Sequence, residues 1–405
     1  MNFLKNLAVS LCSFLLFLAL TVFGLAYDLK ATVLSPDFVT TELNNLQIAP
    51  LVEEYVQSQN PANTTVLNDA INKTVAGIEP DFKKQAGVAI HSVYDYLLGS
   101  KPDPELAATL RLTFFSSDFV TPLVNNLNLA TLLSDPISQQ IASAVPIQIP
   151  NLDSYVSQSL SAVEPSLKQQ IISASGPVAD YILGISPSFK ITISLQQALA
   201  DLKTVLRQEF INSPTTGLQI PGISLSSIPQ NQLGIIFDTF YPTIAGTIPS
   251  TYTIDQSMLS PDLPAQFGQG ITGAEDGLGK ARLYVNYFQQ GYTWAIVFMA
   301  LMVLIIVVIV RNVKDVTHRL GIPLVTYGVL EYGGVLVTKY LISSGKFSYD
   351  RLIPGLPASL ENWLTQLTID SMRPVEVFSI AILVLGAALV VISFVYKPHK
   401  ELTWS

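Results

Sequence analysis

From Ala295 to Val310 the chain runs Ala-Ile-Val-Phe-Met-Ala-Leu-Met-Val-Leu-Ile-Ile-Val-Val-Ile-Val, without a charge or a strong polar group. Backbone amides in such a stretch need internal partners and the side chains need a dry environment. A membrane helix meets both demands. Extended to Tyr292, the run is long enough to cross a hydrocarbon core of ~30 Å. Tyr292 and Trp294 stand at its front edge, where amphipathic rings favour the interface. Arg311, Lys314, His318 and Arg319 follow at once. Basic residues stay on the cytoplasmic side, so this span is predicted to run from outside to inside.

Val375 to Tyr396 is a second such span, opened by Pro374 and closed by Lys397, His399 and Lys400. Two outside-to-inside helices in succession require a return helix, and Leu320 to Ile342 has the length for it. Near the N-terminus, Leu7 to Tyr27 follows Lys5 and is equally apolar. It reads either as an uncleaved anchor or as a signal peptide, with Gly24-Leu25-Ala26 offering small residues for cleavage. Charged residues are only 13% of the chain and hydrophobic ones 49%, which fits this dilution by lipid-facing segments.

The expected organisation is therefore a signal peptide or anchor (1–27), extracytoplasmic regions 28–110, 111–195 and 196–290, a membrane domain (291–397) with spans near 292–310, 320–342 and 375–396, and a cytoplasmic tail (398–405). The location that follows is the cell membrane, multi-pass, with the large domain extracytoplasmic. Residues 28–290 carry 23 acidic and 12 basic side chains. Such a surface repels phosphate backbones, which excludes nucleic acid as a partner, and it does not dock on anionic headgroups by charge alone. Cys12 is the sole cysteine, so no intrachain disulfide or thiolate cluster is available.

In the return helix Glu331 falls near the middle, where a carboxylate costs ~2.5–3.5 kcal/mol unless protonated or paired. Two readings stand: a proton-linked or partner-sensing site, or a group buried between helices and hydrogen-bonded to Tyr327. Gly328, Gly333 and Gly334 are expected to let a neighbouring helix approach. Lys339 is expected to snorkel to the interface. Between the last two spans, Leu360, Trp363, Leu364 and Leu367 make one apolar stripe on a short helix, lying on the outer leaflet or under the outer domain.

The outer region contains recurring blocks. Ser35-Pro-Asp37-Phe-Val-Thr…Asn44-Asn45-Leu46 returns as Ser116-Ser-Asp118-Phe-Val-Thr…Asn125-Asn126-Leu127. Glu79-Pro80-x-x-Lys83-x-Gln85 returns as Glu164-Pro165-x-x-Lys168-x-Gln170, and Asp95-Tyr96-x-Leu-Gly99 as Asp180-Tyr181-x-Leu-Gly184. The first block is offset by 81 residues and the others by 85, which places a four-residue insertion between them in the second copy.

Each copy predicts a strand, a helix and a helix. Leu29, Ala31, Val33 and Leu110, Leu112, Phe114 alternate as strands do. Ser35 and Ser116 signal helix starts with Asp37 and Asp118 in the first turn; the Glu-Pro block opens another helix; Gly99 and Gly184 end it in a left-handed cap. Phe189, Ile191, Ile193 and Leu195 begin a third unit as a strand, followed by a helix with Leu199, Leu202, Leu206 and Phe210 on one face. Residues 212–272 read as a loop-rich subdomain, and Ala281–Gln290 as a helical lead-in to the span at Tyr292. The predicted fold class is thus an α+β extracytoplasmic domain built from a duplicated strand-helix-helix unit, plus an α-helical membrane domain of three to four spans.

Catalytic signatures are scarce. His91 is the one histidine between residues 28 and 290, which leaves a hydrolase triad or a histidine metal site little to draw on. Glycine-rich phosphate loops and EF-hand spacings do not occur, and no cofactor is implied. The repeated acids Asp37/Asp118, Glu79/Glu164 and Asp95/Asp180 fit structural roles at helix ends, with Tyr96 and Tyr181 as core anchors. Asn63-Thr-Thr65 and Asn72-Lys-Thr74 fit the N-glycosylation pattern. The reading is a non-enzymatic envelope protein whose outer domain takes a ligand, lipid or protein partner. A transport or signalling component using Glu331 is the alternative, and a carboxylate-based hydrolase a third.

Overall fold

The computed structural model describes residues 2–59, 65–144, 152–212, 229–246, 250–258, 262–349, 352–353 and 355–396. In chain order its helices are α1 (Asn2–Ala31), α2 (Pro36–Asn45), α3 (Ile48–Gln59), α4 (Thr65–Leu97), α5 (Leu106–Leu112), α6 (Ser117–Asn126), α7 (Leu129–Ala144) and α8 (Leu152–Ile182). Strand β1 (Lys190–Ser194) follows, then α9 (Gln196–Asn212), α10 (Gln230–Ala245) and β2 (Thr251–Asp255). The last four helices are α11 (Leu263–Val310), α12 (Val313–Ser343), α13 (Ala358–Ser371) and α14 (Arg373–Val395). Asn63, the basic residues Lys397, His399 and Lys400, and much of the 212–272 region lie outside the described residues.

The described chain is mostly helical, with four stretches long and apolar enough to span a bilayer: Leu4–Ala31, Leu263–Val310, Val313–Ser343 and Ala358–Val395. It is a chain suited to a membrane. The expected spans at 292–310 and 320–342 fall within α11 and α12, and that at 375–396 matches α14 up to its last residue, Val395. The lead-in at Ala281 is the middle of α11, a single helix of 48 residues.

Two compact units make up the chain: Met1–Val75 with Ala86–Glu105 and Glu275–Ser405, and Ala76–Gln85 with Leu106–Ala274. In the first, Leu16, Leu20, Met302, Ile306, Leu324 and Tyr327 form a buried core between α1, α11 and α12. Leu7, Phe14, Leu304, Val384 and Val391 remain exposed on the helices, as lipid-facing residues must. Helices α12 and α14 approach most closely at glycine. A Cβ on Gly328 would lie 2.6 Å from the Leu383 Cβ, and one on Gly386 would lie 2.7 Å from the Val325 backbone nitrogen. Gly333 and Gly334, expected to serve this purpose, face open space instead, because they lie on another side of α12.

Two residues, Arg311 (φ 60°) and Asn312, turn the chain between α11 and α12. Asn312 caps α12 by accepting the Lys314 N–H at 3.1 Å. The amphipathic helix expected at Ser359–Leu367 is α13. The Trp363 Nε1–H donates to the Glu42 carbonyl at 2.7 Å, and the Ser359 hydroxyl donates to Glu54 at 3.1 Å, so it packs against α2 and α3.

In the second unit α6, α7 and α9 pack on α8, and α10 packs on α9. The core holds Val156, Leu160, Leu202, Leu206, Leu233 and Phe237. The stripe expected on α9 supplies Leu202 and Leu206. The strand expected from Phe189 onward is β1, which pairs antiparallel with β2 in the register Lys190↔Asp255 to Ser194↔Thr251.

The other two expected strands are helix ends, and the α+β expectation is corrected accordingly to a mostly helical fold with one two-stranded sheet among the described residues. Leu29 and Ala31 belong to α1, and Leu110 and Leu112 to α5. Buried Thr32 and Thr113 each return a hydroxyl to the carbonyl four residues back, Asp28 and Thr109, both at 2.7 Å. Amides of Leu34 and Phe115 then reach back to the carbonyls of Leu29 and Leu110, closing both helices. Three alternating apolar residues fit such an end as well as they fit a strand.

The Glu-Pro block is corrected too. Pro80 and Pro165 lie inside α4 and α8 rather than in a first turn. An interior proline costs ~3 kcal/mol of helix stability. In α8, burial of Val163 and Leu167 against Leu129 offsets it.

Candidate functional site

The residues of α1 and α12 that bear chemistry meet where the apolar run of α1 ends. Tyr327 is only 2% exposed, and its hydroxyl lies over Gly24, where a Cβ would stand 2.1 Å from it. Rings of Phe23, Tyr27 and Phe378 surround the spot, with Tyr27 stacked on Phe378 at 5.1 Å and Phe378 edge-on to Tyr327 at 6.0 Å. Asp28 and Glu331 are close enough for their charges to interact, and Glu331 interacts likewise with Tyr327.

Among the described residues neither the Tyr327 hydroxyl nor Asp28 Oδ1 has a hydrogen-bond partner, although both are buried. Buried polar atoms are nearly always paired, so these two oxygens between α1 and α12 stand out. The expected Tyr327–Glu331 hydrogen bond is therefore not formed. Asp28, the first charged residue beyond the apolar run of α1, lies within electrostatic reach of Glu331. Lys339 forms an ion pair with Glu376 at the start of α14.

The repeated acids each have a local role. Glu164 accepts the Leu129 N–H at 3.1 Å, so it caps α7 from the neighbouring helix α8. Lys168, one turn on, pairs with Glu164 at 2.8 Å and donates to the Asn125 carbonyl at 2.9 Å, at the end of α6. Carboxylate at a helix start and ammonium at a helix end both complement the helix dipoles. Burial alone would raise the Glu164 pKa, but Lys168 and the Leu129 and Ala130 amides bring it below the usual carboxylate value. Glu79 makes the same ion pair with Lys83 at 2.6 Å.

Asp180 binds Arg111 at 2.6 Å, and Asp95 is exposed. Asp37 lies 3.6 Å from His91, and Asp118 is exposed in the first turn of α6. Tyr181 is buried against Phe189 with ring centroids 5.2 Å apart. Tyr96 is buried beneath the Arg282 guanidinium, 4.6 Å from its ring centroid, and lines a cavity of about 470 Å³ with Glu275, Asp276 and Lys280. Gly99 (φ 91°) and Gly184 (φ 72°) take the left-handed conformation at the ends of α4 and α8.

No family model, curated protein or solved structure matches this chain. Two acidic residues escaped sequence reasoning. Asp28 looked like the first residue of the outer domain, and only the packing of α1 on α12 brings it to Glu331. Glu42, at 4% exposed, is buried in α2 with Oε2 unpartnered. Burial, and after it the charge of Asp370, raises its pKa. A polar letter in a mostly polar helix carries no signal of that burial.

Proposed function

We propose that this chain is a non-enzymatic, multi-pass protein of the cell membrane whose helical domain, held outside the cytoplasm, docks a protein partner. One observation carries the docking reading. Leu112, next to Arg111, is 75% exposed, and Ile185, five residues after Asp180, is 61% exposed, while Arg111 and Asp180 themselves form an ion pair. The apolar cavity nearest the core of this unit, lined by Val156, Leu160 and Leu202, holds only about 30 Å³. A filled core with large apolar side chains outside suits a protein surface better than a small hydrophobic ligand.

The basic residues between Arg311 and Arg319 support a cytoplasmic turn between α11 and α12, which puts α2 to α10 outside and the C-terminus inside. Packing of Leu16, Leu20 and Gly24 against α11 and α12 favours α1 as a retained anchor over a cleaved signal peptide. The matched blocks favour a duplicated unit of helix end, short helix, helix and long helix.

Two measurements test this. In a Cys12→Ala background, an impermeant maleimide applied to intact cells should label Asp118→Cys and spare Lys314→Cys; the reverse pattern refutes the topology. Native electrophoresis from gently solubilised membranes should show a complex larger than the chain alone, and Leu112→Asp with Ile185→Asp should dissolve it without unfolding the domain. A lone chain in both cases removes the docking reading.

The unpartnered Tyr327 and Asp28 oxygens beside Glu331 favour a second reading, a transport or signalling component in which Glu331 acts. Glu331→Gln leaving growth, assembly and membrane proton flux unchanged eliminates it.

A further inference from the structure

The first unit contains a cavity of about 450 Å³ at the level where two apolar runs end, and no role assigned above uses it. Its walls include Lys30, Leu34, Leu98, Phe288, Gln289 and Tyr292. Tyr292 opens the apolar run of α11, and Lys30 lies one turn beyond Tyr27, which closes that of α1. With Tyr27 and Tyr292 at the interface, as amphipathic rings at the ends of apolar runs favour, the cavity borders the bilayer surface.

We infer that this cavity holds the headgroup of an anionic glycerophospholipid, with Lys30 meeting the phosphate and the apolar walls meeting the glycerol and upper acyl carbons. Three observations converge. The exposed Lys30 ammonium sits 4.5 Å from the Tyr292 ring centroid, a cation–π contact that neutralises none of its charge. Its counterpart in the second matched segment, Arg111, is already taken by Asp180 at 2.6 Å, whereas no carboxylate among the described residues pairs with Lys30. The lining is half apolar and half polar in character, as a headgroup with attached chains requires, and the volume lies in the range of small-molecule sites, roughly 300–1,000 Å³. Residues 28–290 are acidic as a whole, so charge alone does not bring an anionic lipid here; one held cation beside an apolar wall does.

The test uses the full chain in nanodiscs containing phosphatidylcholine and a minor share of phosphatidylglycerol that carries a photoactivatable group near its glycerol. Crosslinks should fall on peptides containing Lys30 and Phe288–Tyr292. Lys30→Gln should cut that crosslinking about fivefold, the worth of one interfacial cation, while Lys30→Arg keeps it. A photoactivatable phosphatidylcholine should crosslink there far less. Inorganic phosphate at millimolar concentration should not compete; competition would mean a soluble phosphate ligand and overturn the lipid assignment. Equal crosslinking by both lipids, or an unaltered yield with Lys30→Gln, also overturns it. Crosslinks at the peptide containing Arg311–Arg319 act as an internal control for folded, inserted protein and should not change with the Lys30 variants.

Discussion

The segments Asp28–Gly99 and Thr109–Gly184 share blocks of sequence but differ in what their charged side chains meet. Both begin with a threonine returning its hydroxyl four residues back, both continue through a ten-residue helix, and both end on a left-handed glycine. Yet Arg111 pairs with Asp180 while Lys30 lies over Tyr292. Glu42 is buried where the second segment has Leu123, and exposed Leu112 and Ile185 stand where the first has Ala31 and Ser100. Backbone-closing residues are alike because turn geometry admits few substitutes. Side chains that face the surroundings differ because the surroundings differ.

Packing variants separate the two segments most. Leu167→Ala in the α7–α8 contact should cost roughly 2–5 kcal/mol, read as a lowered midpoint in a denaturant titration of the detergent-solubilised chain. The matched Phe82, half-buried against Phe114 and Phe119, should cost less as alanine; equal losses would mean that the two positions are packed equally well.

Next in size is Glu164→Gln, at about 1.5–3 kcal/mol, because it weakens charge-assisted bonds to α7 and Lys168 together. Hydrogen exchange at the Leu129 and Ala130 amides should accelerate. The folded pKa of Glu164 is depressed, so its contribution is complete above the ordinary carboxylate value of 4.5 and disappears as pH falls through the lowered value. Acid-induced loosening of α7 that is the same in wild type and Glu164→Gln would contradict this.

Gly99→Ala and Gly184→Ala should each cost roughly 1–2 kcal/mol, and nearly the same amount, since positive φ penalises a Cβ at either place. Thermal melts showing only one of them sensitive would break the likeness of the two ends. Smallest is Asp180→Asn, about 1 kcal/mol or less for a half-exposed pair, against no measurable change for Asp95→Asn.

Much of this was legible in the sequence. Long apolar runs announce bilayer helices because lipid leaves the backbone no alternative, and Gly99 and Gly184 announce their φ because few other residues adopt it. The strand at Lys190–Ser194 was read correctly and the apparent strands at Leu29–Val33 and Leu110–Phe114 were not, although all three alternate. The difference lies in the partner: β1 finds β2 some sixty residues on, and the other two find a threonine hydroxyl within their own turn. Glu164 was placed at the start of its own helix when it caps another. Its role depends on α7 folding back onto α8, which nothing local encodes. Asp28 joined Glu331 for the same non-local reason.

Helix α11 carries a last consequence. Its 48 residues amount to roughly 70 Å of one continuous ladder. Gly268, Gly270, Gly273 and Gly277 stand in its first third with nothing near the space a methyl group would take, and each forfeits ~1 kcal/mol of helix preference relative to alanine. The apolar half has no such weakness, because hydrocarbon offers its amides no other acceptor. On warming, the rod should therefore unzip from the Leu263 end and stop where solvent gives way to oil, so that its helical length becomes a readout of temperature while its anchored portion stays unchanged.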